Sequence, residues 1–431
     1  FMAIPAPRTI YRGIRKVPPG HRLIADASGV RLERYWALRY APKVRISEDE
    51  AVAEVRRLFR AAVAKRLISE VPLGAYLSGG VDSSAVVGMM TAIAGPVDTF
   101  SIGFAEPEYD ELPHARRVAT AFGSRHHEFV VAPDIAGILP AMVRHFGEPF
   151  ADSSAVPSWY LAEMTRRHVT VALNGDGGDE IFAGYGRHLA NRLAEGWGRV
   201  PSVLRRPAEA LVGSPFVSRR GWSRAARFVA AAGLPRADRY RAWAGVFSRD
   251  WIQALATQRT SDVEALRDVM QDAAPLDAVD AMLAVDTNFY LPSDLLPKVD
   301  ITSMAHSLEL RSPLLDTALA EFVAVLPSAM KLRGRTTKHL LKRAVEGLVP
   351  EENVHRAKRG FAVPIAGWLR RDLRDYTLDL LRPSRLAADG VLQQAAVDRV
   401  LDAHLEGRKD YAHHVWTLLM LEQWYRMDGR H

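Results

Sequence analysis

The chain contains no cysteine, which excludes disulfides, thiolate metal ligands and cysteine nucleophiles. It has no uninterrupted apolar run near the ~18 residues that a membrane-spanning helix requires, and no secretory leader is visible. A cytoplasmic location and no membrane partner are expected. An arginine–aromatic repeat is missing too. The formal charge of +7 over 431 residues therefore points no more to nucleic acid than to anionic small molecules, and no nucleic-acid partner is expected. Repeats and low-complexity tracts are absent. What remains, 48% hydrophobic and 25% charged residues, is the composition of a globular protein long enough for two domains or one large one. The first residue is Phe1, not methionine, and the expectation is a piece of something longer.

The most informative stretch runs from Val71 to Ala94. Leu73, Gly74, Ala75, Tyr76 and Leu77 form a short apolar run bounded by Pro72 and glycines, which suits a buried parallel strand. Ser78-Gly79-Gly80-Val81-Asp82-Ser83-Ser84 follows, and then residues with helical spacing begin. A strand, a tight loop of small residues and a helix aim several backbone N–H groups and the positive end of a helix at one spot, which makes an anion site. Gly79 and Gly80 let the backbone approach a phosphate closely. Asp82 supplies a carboxylate suited to holding Mg²⁺ against that phosphate. A turn that only turns is the plain alternative, but two serines, two glycines and an aspartate at one strand-to-helix junction favour phosphate binding. No Gly-Lys-Ser/Thr follows, so this is not a Walker A loop.

Around this unit the chain alternates strands and helices. Residues 1–40 read as β structure and linker, with a hairpin of His21–Ala25 and Val30–Glu33 about the turn Asp26-Ala27-Ser28-Gly29. Trp36 and Tyr40 are expected to pack against the next domain. Residues 48–69 are an amphipathic helix that covers a sheet. Strands are predicted at 98–104, 126–131 and 169–173, and helices from about 111 to 122, 134 to 146 and 157 to 167. This pattern calls for a parallel sheet with helices on both faces, in which ligands bind beyond the carboxyl ends of the strands. Asn174-Gly175-Asp176-Gly177-Gly178-Asp179-Glu180 sits at one such end. Three glycines among acids read better as a Mg²⁺–polyphosphate loop than as a solvated acidic turn, with Asp179 facing Asp82. Residues 187–274 read as helical cover and 276–327 as core helices, although Leu291–Ala305 is too polar for plain packing. Among the basic residues from Lys331 onward, most read as a solvated face. Lys358, in Arg356-Ala357-Lys358-Arg359-Gly360-Phe361, is free to reach into a cleft. The tail from Val391 to Met427 is helical.

Ser78–Ser84 resembles the pyrophosphate loop of the ATP pyrophosphatases. With Gly147–Ser154, Asn174–Glu180, Lys298–Asp316 and Lys358–Phe361 in order, the chain resembles the synthetase half of the glutamine-dependent asparagine synthetases over roughly residues 45–425. The resemblance implies an α/β fold of the adenine nucleotide α-hydrolase kind, a parallel twisted sheet with helices on both faces, and a largely helical C-terminal part. It divides the chain into 1–45, a remnant of an N-terminal glutaminase domain with its linker, and 46–431, the ATP pyrophosphatase domain. The glutaminase nucleophile, a cysteine, is not in this sequence, so no glutamine hydrolysis is expected of it. Ammonia would be free or supplied by a part not present, and a homodimer is compatible with the resemblance.

The implied reaction is adenylation of a carboxylate by ATP with release of pyrophosphate, followed by attack of ammonia to give an amide and AMP. Aspartate is the simplest acid. By the resemblance, Ser78, Gly79, Gly80, Ser83 and Ser84 cradle pyrophosphate. Asp82 and Asp179 hold Mg²⁺, and Leu77, Ile102 and Gly103 lie where the family binds adenine and ribose. Lys338 touches phosphate, and Lys358 stabilises charge in both steps. Glu148 stands near the attacking nitrogen and takes its proton, while Asp152 and Gly175 contact the acid, Gly175 also reaching the nucleotide. Ile301 stands where many relatives carry arginine, a departure that bears on which acid is used and not on the fold. Three other readings compete. One keeps adenylation but uses a different acid or an amine within the substrate, as in β-lactam synthetases and lasso-peptide cyclases. The second is a tRNA-modifying ATP pyrophosphatase, which predicts RNA binding and commonly reactive cysteines. The third is a non-catalytic scaffold.

Overall fold

The computed structural model describes residues 1–131, 134–198, 201, 203, 223–258, 264–356 and 363–428. At its centre lies a five-stranded sheet built from β3 (Leu73–Tyr76), β4 (Asp98–Phe104), β5 (Arg125–Val131), β6 (Val171–Leu173) and β7 (Glu309–Arg311), in the order β5-β4-β3-β6-β7. All four pairings are parallel, with Ala75 opposite both Thr99 and Leu173. Successive residues of a strand point to opposite faces, and the core divides accordingly. Ala75, Leu77 and Leu173 face one apolar cluster with Phe59, Val86 and Met90. Phe100, Ile102 and Ala172 face another with Leu161 and Leu308.

The first face is covered by α1 (Glu48–Arg66), α2 (Val81–Ala94) and α3 (Leu112–Phe122), and the second by α5 (Ala155–Arg166). Helix α1 starts where Ser47 and Glu50 cap each other's backbone N–H groups and buries Val52, Val55, Phe59 and Val63. It ends at Arg66, three residues short of the sequence expectation. Beyond it the Ser69 hydroxyl bonds to the Val71 carbonyl in a local turn that leads into β3. Outside the sheet, α4 (Ile135–Phe146) packs with the helices Gln394–Leu405 and Ala412–Asp428 in a third cluster that includes Leu139, Trp159, Trp416 and Leu419.

The hairpin of β1 (His21–Asp26) and β2 (Gly29–Arg34) is a separate antiparallel pair with the two-residue turn Ala27-Ser28. Beyond it the Trp36 indole donates to Glu321 at 2.8 Å and Tyr40 is buried, so this linker is seated on the helical body. Residues 286–295 form a π-helical run containing Pro292, which passes directly into the helix Leu296–Met304. The sequence pattern predicts plain core helix over the start of this region. Proline, lacking an N–H, cannot complete a regular α-helical ladder there. No helix among the described residues is long and apolar enough to cross a membrane.

The chain runs outward from β3 through β4 to β5, then returns to place β6 and β7 on the other side. The strand order reverses between β3 and β6, and such a reversal opens a crevice at the carboxyl ends of the two strands.

Candidate active site

A cleft of about 510 Å³ occupies that crevice. One lip is the loop between β3 and α2. There the Ser78 hydroxyl lies 3.0 Å from that of Ser83 and accepts from the Gly80 N–H at 3.3 Å. Gly79 has φ +69°, and a Cβ on it would stand 2.4 Å from the backbone of His114, so only glycine fits. The opposite lip is the loop between β6 and the short helix Gly178–Phe182. A Cβ on Gly175 would fall 2.7 Å from the Ser83 nitrogen and 2.9 Å from Asp82 Cβ, so the two lips are in direct contact.

Asp82 and Asp179 come from these facing lips and share one ammonium. Lys338 Nζ is 2.7 Å from Asp179 Oδ1 and pairs with Asp82 Oδ2. Lys338 is buried and has a left-handed backbone, φ +53°. Asp82 Oδ1 is buried without a hydrogen-bond partner. Two carboxylates around a point that already stabilises one positive charge, with an oxygen left over, fit Mg²⁺ brought in on a polyphosphate, since this ion takes one or two protein carboxylates and fills its shell with phosphate and water. Among the described residues no group of three or more acidic or histidine ligands could hold a metal unaided. Lys342 and Arg356 add positive charge to the same wall, and Arg356 is fixed by Glu111 Oε1 at 2.7 Å. Burial, and Lys338 beside it, lower the Lys342 pKa. Leu77, Phe100 and Ile102 provide an apolar wall nearby.

The far end of the cleft is a buried polar cluster. Lys298 Nζ donates to Asp152 Oδ2 and to the Ser154 hydroxyl, both at 2.8 Å, and the Ser154 N–H donates to Asp152 Oδ1 at 2.9 Å. Burial opposes the charge on Asp152, but Lys298 and Ser154 outweigh it and hold the carboxyl below its usual range. Asp294, one helical turn from Lys298, is pushed up to about 8 by burial and by Asp152. Glu180 lines the cleft, and burial raises it to about 7 even though it accepts a hydrogen bond from the Tyr185 hydroxyl. Asp176, also on the wall, accepts from the Asn174 amide at 2.7 Å.

Of the residues singled out in the sequence, Leu77, Ser78, Gly80, Asp82, Ser83, Ile102, Asp152, Gly175, Asp179 and Lys338 line this one cleft. Gly79, Ser84 and Gly103 do not line it. Gly79 is pressed against α3, Ser84 is fully buried, and a Cβ on Gly103 would meet Leu112 at 2.6 Å. Glu148 does not line it either. Its carboxylate accepts from the Ile10 N–H at 2.8 Å and pairs with Lys16. Lys358 lies outside the described residues, with Gly360 and Phe361. Ile301 is not on the wall, whereas Lys298, Val299 and Thr302 of the same helix are. Sequence reasoning assigned no role to Glu180, Asp176, Tyr185, Tyr290 or Lys298. The available signals were the acidic glycine loop 174–180 for Asp176 and Glu180 and the polar character of 291–305, where Lys298 and Thr302 stand four apart on one helix face.

The family model described as Asparagine synthase matches residues 54–426. Asparagine synthetase [glutamine-hydrolyzing] 1 of Bacillus subtilis is 31% identical over 99% of this chain and 67% of its own length. A putative asparagine synthetase [glutamine-hydrolyzing] of Mycobacterium tuberculosis is 32% identical over 99% of this chain and 66% of its own. Amidase chyE of Penicillium rubens is 27% identical over 84% of this chain and 60% of its own. The chain thus spans about two thirds of the length of the synthetases it matches. With the parallel sheet, the switch-point cleft and a family match over most of its length, the chain belongs to the asparagine synthase family.

Proposed function

We propose that the chain is an ATP-dependent amide-forming ligase whose acid is most simply aspartate and whose nitrogen donor is ammonia. The observation that carries this reading is the meeting of Ser78, Gly80, Asp82, Ser83, Gly175, Asp179 and Lys338 around one cleft, although they are far apart in the chain. In the first step a carboxylate oxygen of the acid attacks the α-phosphorus of ATP, the bond to the bridging oxygen breaks, and pyrophosphate leaves. Ser78, Gly80 and Ser83 cradle the departing phosphates with hydroxyls and N–H groups. Lys338 and Lys342 balance their charge, an electrostatic role that is preorganised because Lys338 is buried. Asp82 and Asp179 would hold Mg²⁺, which would supply charge neutralisation at the phosphates.

In the second step ammonia attacks the acyl carbon, AMP leaves and the nitrogen gives up a proton. Glu180, on the wall and held near 7, is a carboxylate matched to accept it. Glu148, assigned this role from sequence, has its oxygens engaged by Ile10 and Lys16 away from the cleft. Asp152 and Lys298 fix the far end, where the acid is bound. Lys358 is assigned to stabilise charge in both steps. Residues 1–45 are read as the closing hairpin and linker of a glutaminase domain, and no glutamine hydrolysis is assigned to this sequence, which has no cysteine. A homodimer and a cytoplasmic setting belong to this reading.

Aspartate, ATP and ammonium are expected to yield asparagine, AMP and pyrophosphate in equal amounts. Asp82→Ala is expected to abolish pyrophosphate release, and near-normal release from this variant would overturn the metal assignment. The match to proteins named amidases favours one alternative, a different acid or an amine within the substrate. No AMP with aspartate but turnover with another acid would select it.

A further inference from the structure

Residues 1–16 are seated on the loop 147–154, which carries Asp152 at its centre. The Ala151 N–H, next to Asp152, donates to the Met2 carbonyl at 2.7 Å, and Met2 itself lines the cleft. The Tyr11 hydroxyl donates to the Gly147 carbonyl at 3.3 Å, and the Trp424 indole donates to the same oxygen at 3.3 Å. Between these points Glu148 accepts from the Ile10 N–H and pairs with Lys16. Lys16 also closes the segment on itself. Its ammonium donates to the Ile4 carbonyl at 2.9 Å and its N–H to the Pro7 carbonyl at 3.0 Å. Met2, Ala3 and Ile10 pack on the apolar cluster of the C-terminal helices.

We propose that Lys16 and Glu148 are positioning residues: they buckle residues 1–16 onto the loop 147–154 and so set the acid-binding end of the cleft. Glu148 does not line the cleft, so it acts on the reaction through the loop. The buckle fixes the loop at Gly147 and Glu148 and, through Met2, at Ala151. Asp152 is then presented to Lys298 in one place. The phosphate lip is built from other elements, so the two ends of the cleft are tuned separately.

The test rests on the ligase reading for its substrate and uses four variants: Lys16→Met, Glu148→Gln, the double variant and Lys16→Arg. Exchange of pyrophosphate into ATP driven by aspartate is followed. Lys16→Met and Glu148→Gln are each expected to raise KM for the acid roughly five-fold, the worth of a partly exposed ion pair, with kcat and KM for ATP nearly unchanged. The double variant is expected to be no worse than either single one, and Lys16→Arg to restore the wild-type value. A collapse of kcat in Glu148→Gln with Lys16→Met unaffected would overturn the proposal and place Glu148 on the reacting atoms. Hydrogen exchange at the Ala151 amide is the second measurement and needs no substrate. It is expected to quicken in both single variants, and unchanged protection would overturn the buckle. If no acid drives exchange even in the wild type, the ligase reading fails and the Ala151 amide still decides.

Discussion

Glu180 shows how a single side chain can carry an ionisation that the surrounding fold resists. It is buried, its partner is a neutral phenol, and its pKa stands at about 7 against 4.5 for a free glutamate. Below about pH 4.5 the group is protonated in both the folded and the unfolded chain and costs nothing. As pH rises from 4.5 toward 7 the unfolded chain gives up the proton first, so stability falls through that window and stays lower above it. Glu180→Gln keeps the shape and removes the charge. It is expected to stabilise the protein at pH 8 by an amount on the order of 2–3 kcal/mol and to flatten the fall of Tm between pH 4.5 and 7. Amide formation is expected to drop much more than pyrophosphate release, since the proton acceptor serves the nitrogen step. Thermal unfolding across pH and a comparison of the two product assays check both expectations. Asp82 and Asp179 could be read from their glycine-rich loops because those loops are local patterns. Lys338 was placed at phosphate only by resemblance, and its pairing with both aspartates could not be read, because it joins them from more than 150 residues further on.

At the scale of the element, the helix Leu296–Met304 holds the cleft through one buried cation. Lys298 is 6% exposed and is fastened to Asp152 and Ser154. Burying two ions is costly, and the pair is tolerated because each supports the other. Lys298→Met removes the positive partner and leaves the buried Asp152 carboxylate, beside Asp294, with only its hydrogen bonds from Ser154. We expect a loss of about 3–5 kcal/mol, read by denaturant unfolding, with smaller loss when Asp152→Asn accompanies it. The elements themselves were largely legible. β4 and α3 lie where apolar runs and turn residues placed them, because β4 is a continuous run buried on both faces and α3 buries one regular face. The π-helical run at 286–295 was not legible, since its distortion answers to Pro292 and to partners elsewhere in the chain. The docking of residues 1–16 on the loop 147–154 was missed for a similar reason. Lys16 reads as an ordinary surface-type residue and Glu148 as a catalytic one until a distant segment is laid alongside.

For the molecule as a whole, the lips, the lysines and the apolar wall should respond to ATP as one unit. A ligand that binds only the folded state stabilises it by mass action, about 2.7 kcal/mol at a hundred times its dissociation constant. ATP with Mg²⁺ is therefore expected to raise Tm. ATP with a chelator is expected to do so far less, and Asp82→Ala not to respond to the metal. Absence of any shift in the wild type would favour a non-catalytic scaffold. The parallel sheet followed from alternating strands and helices, whereas the reversal of its strand order was not read from them, and the buried chemistry at the far end of the cleft arises only when the loop 147–154, the helix 296–304 and the π-helical run are brought together.

The neighbours β3 and β6 are joined by nearly a hundred intervening residues, and the lysine between their aspartates is still more distant. During synthesis, a ribosome that has finished the Ser-Gly-Gly loop has made only a fragment of the pocket. Nucleotide capture should therefore begin abruptly, once Lys338 has emerged and docked, and any nascent chain stopped before that point should be unable to retain ATP.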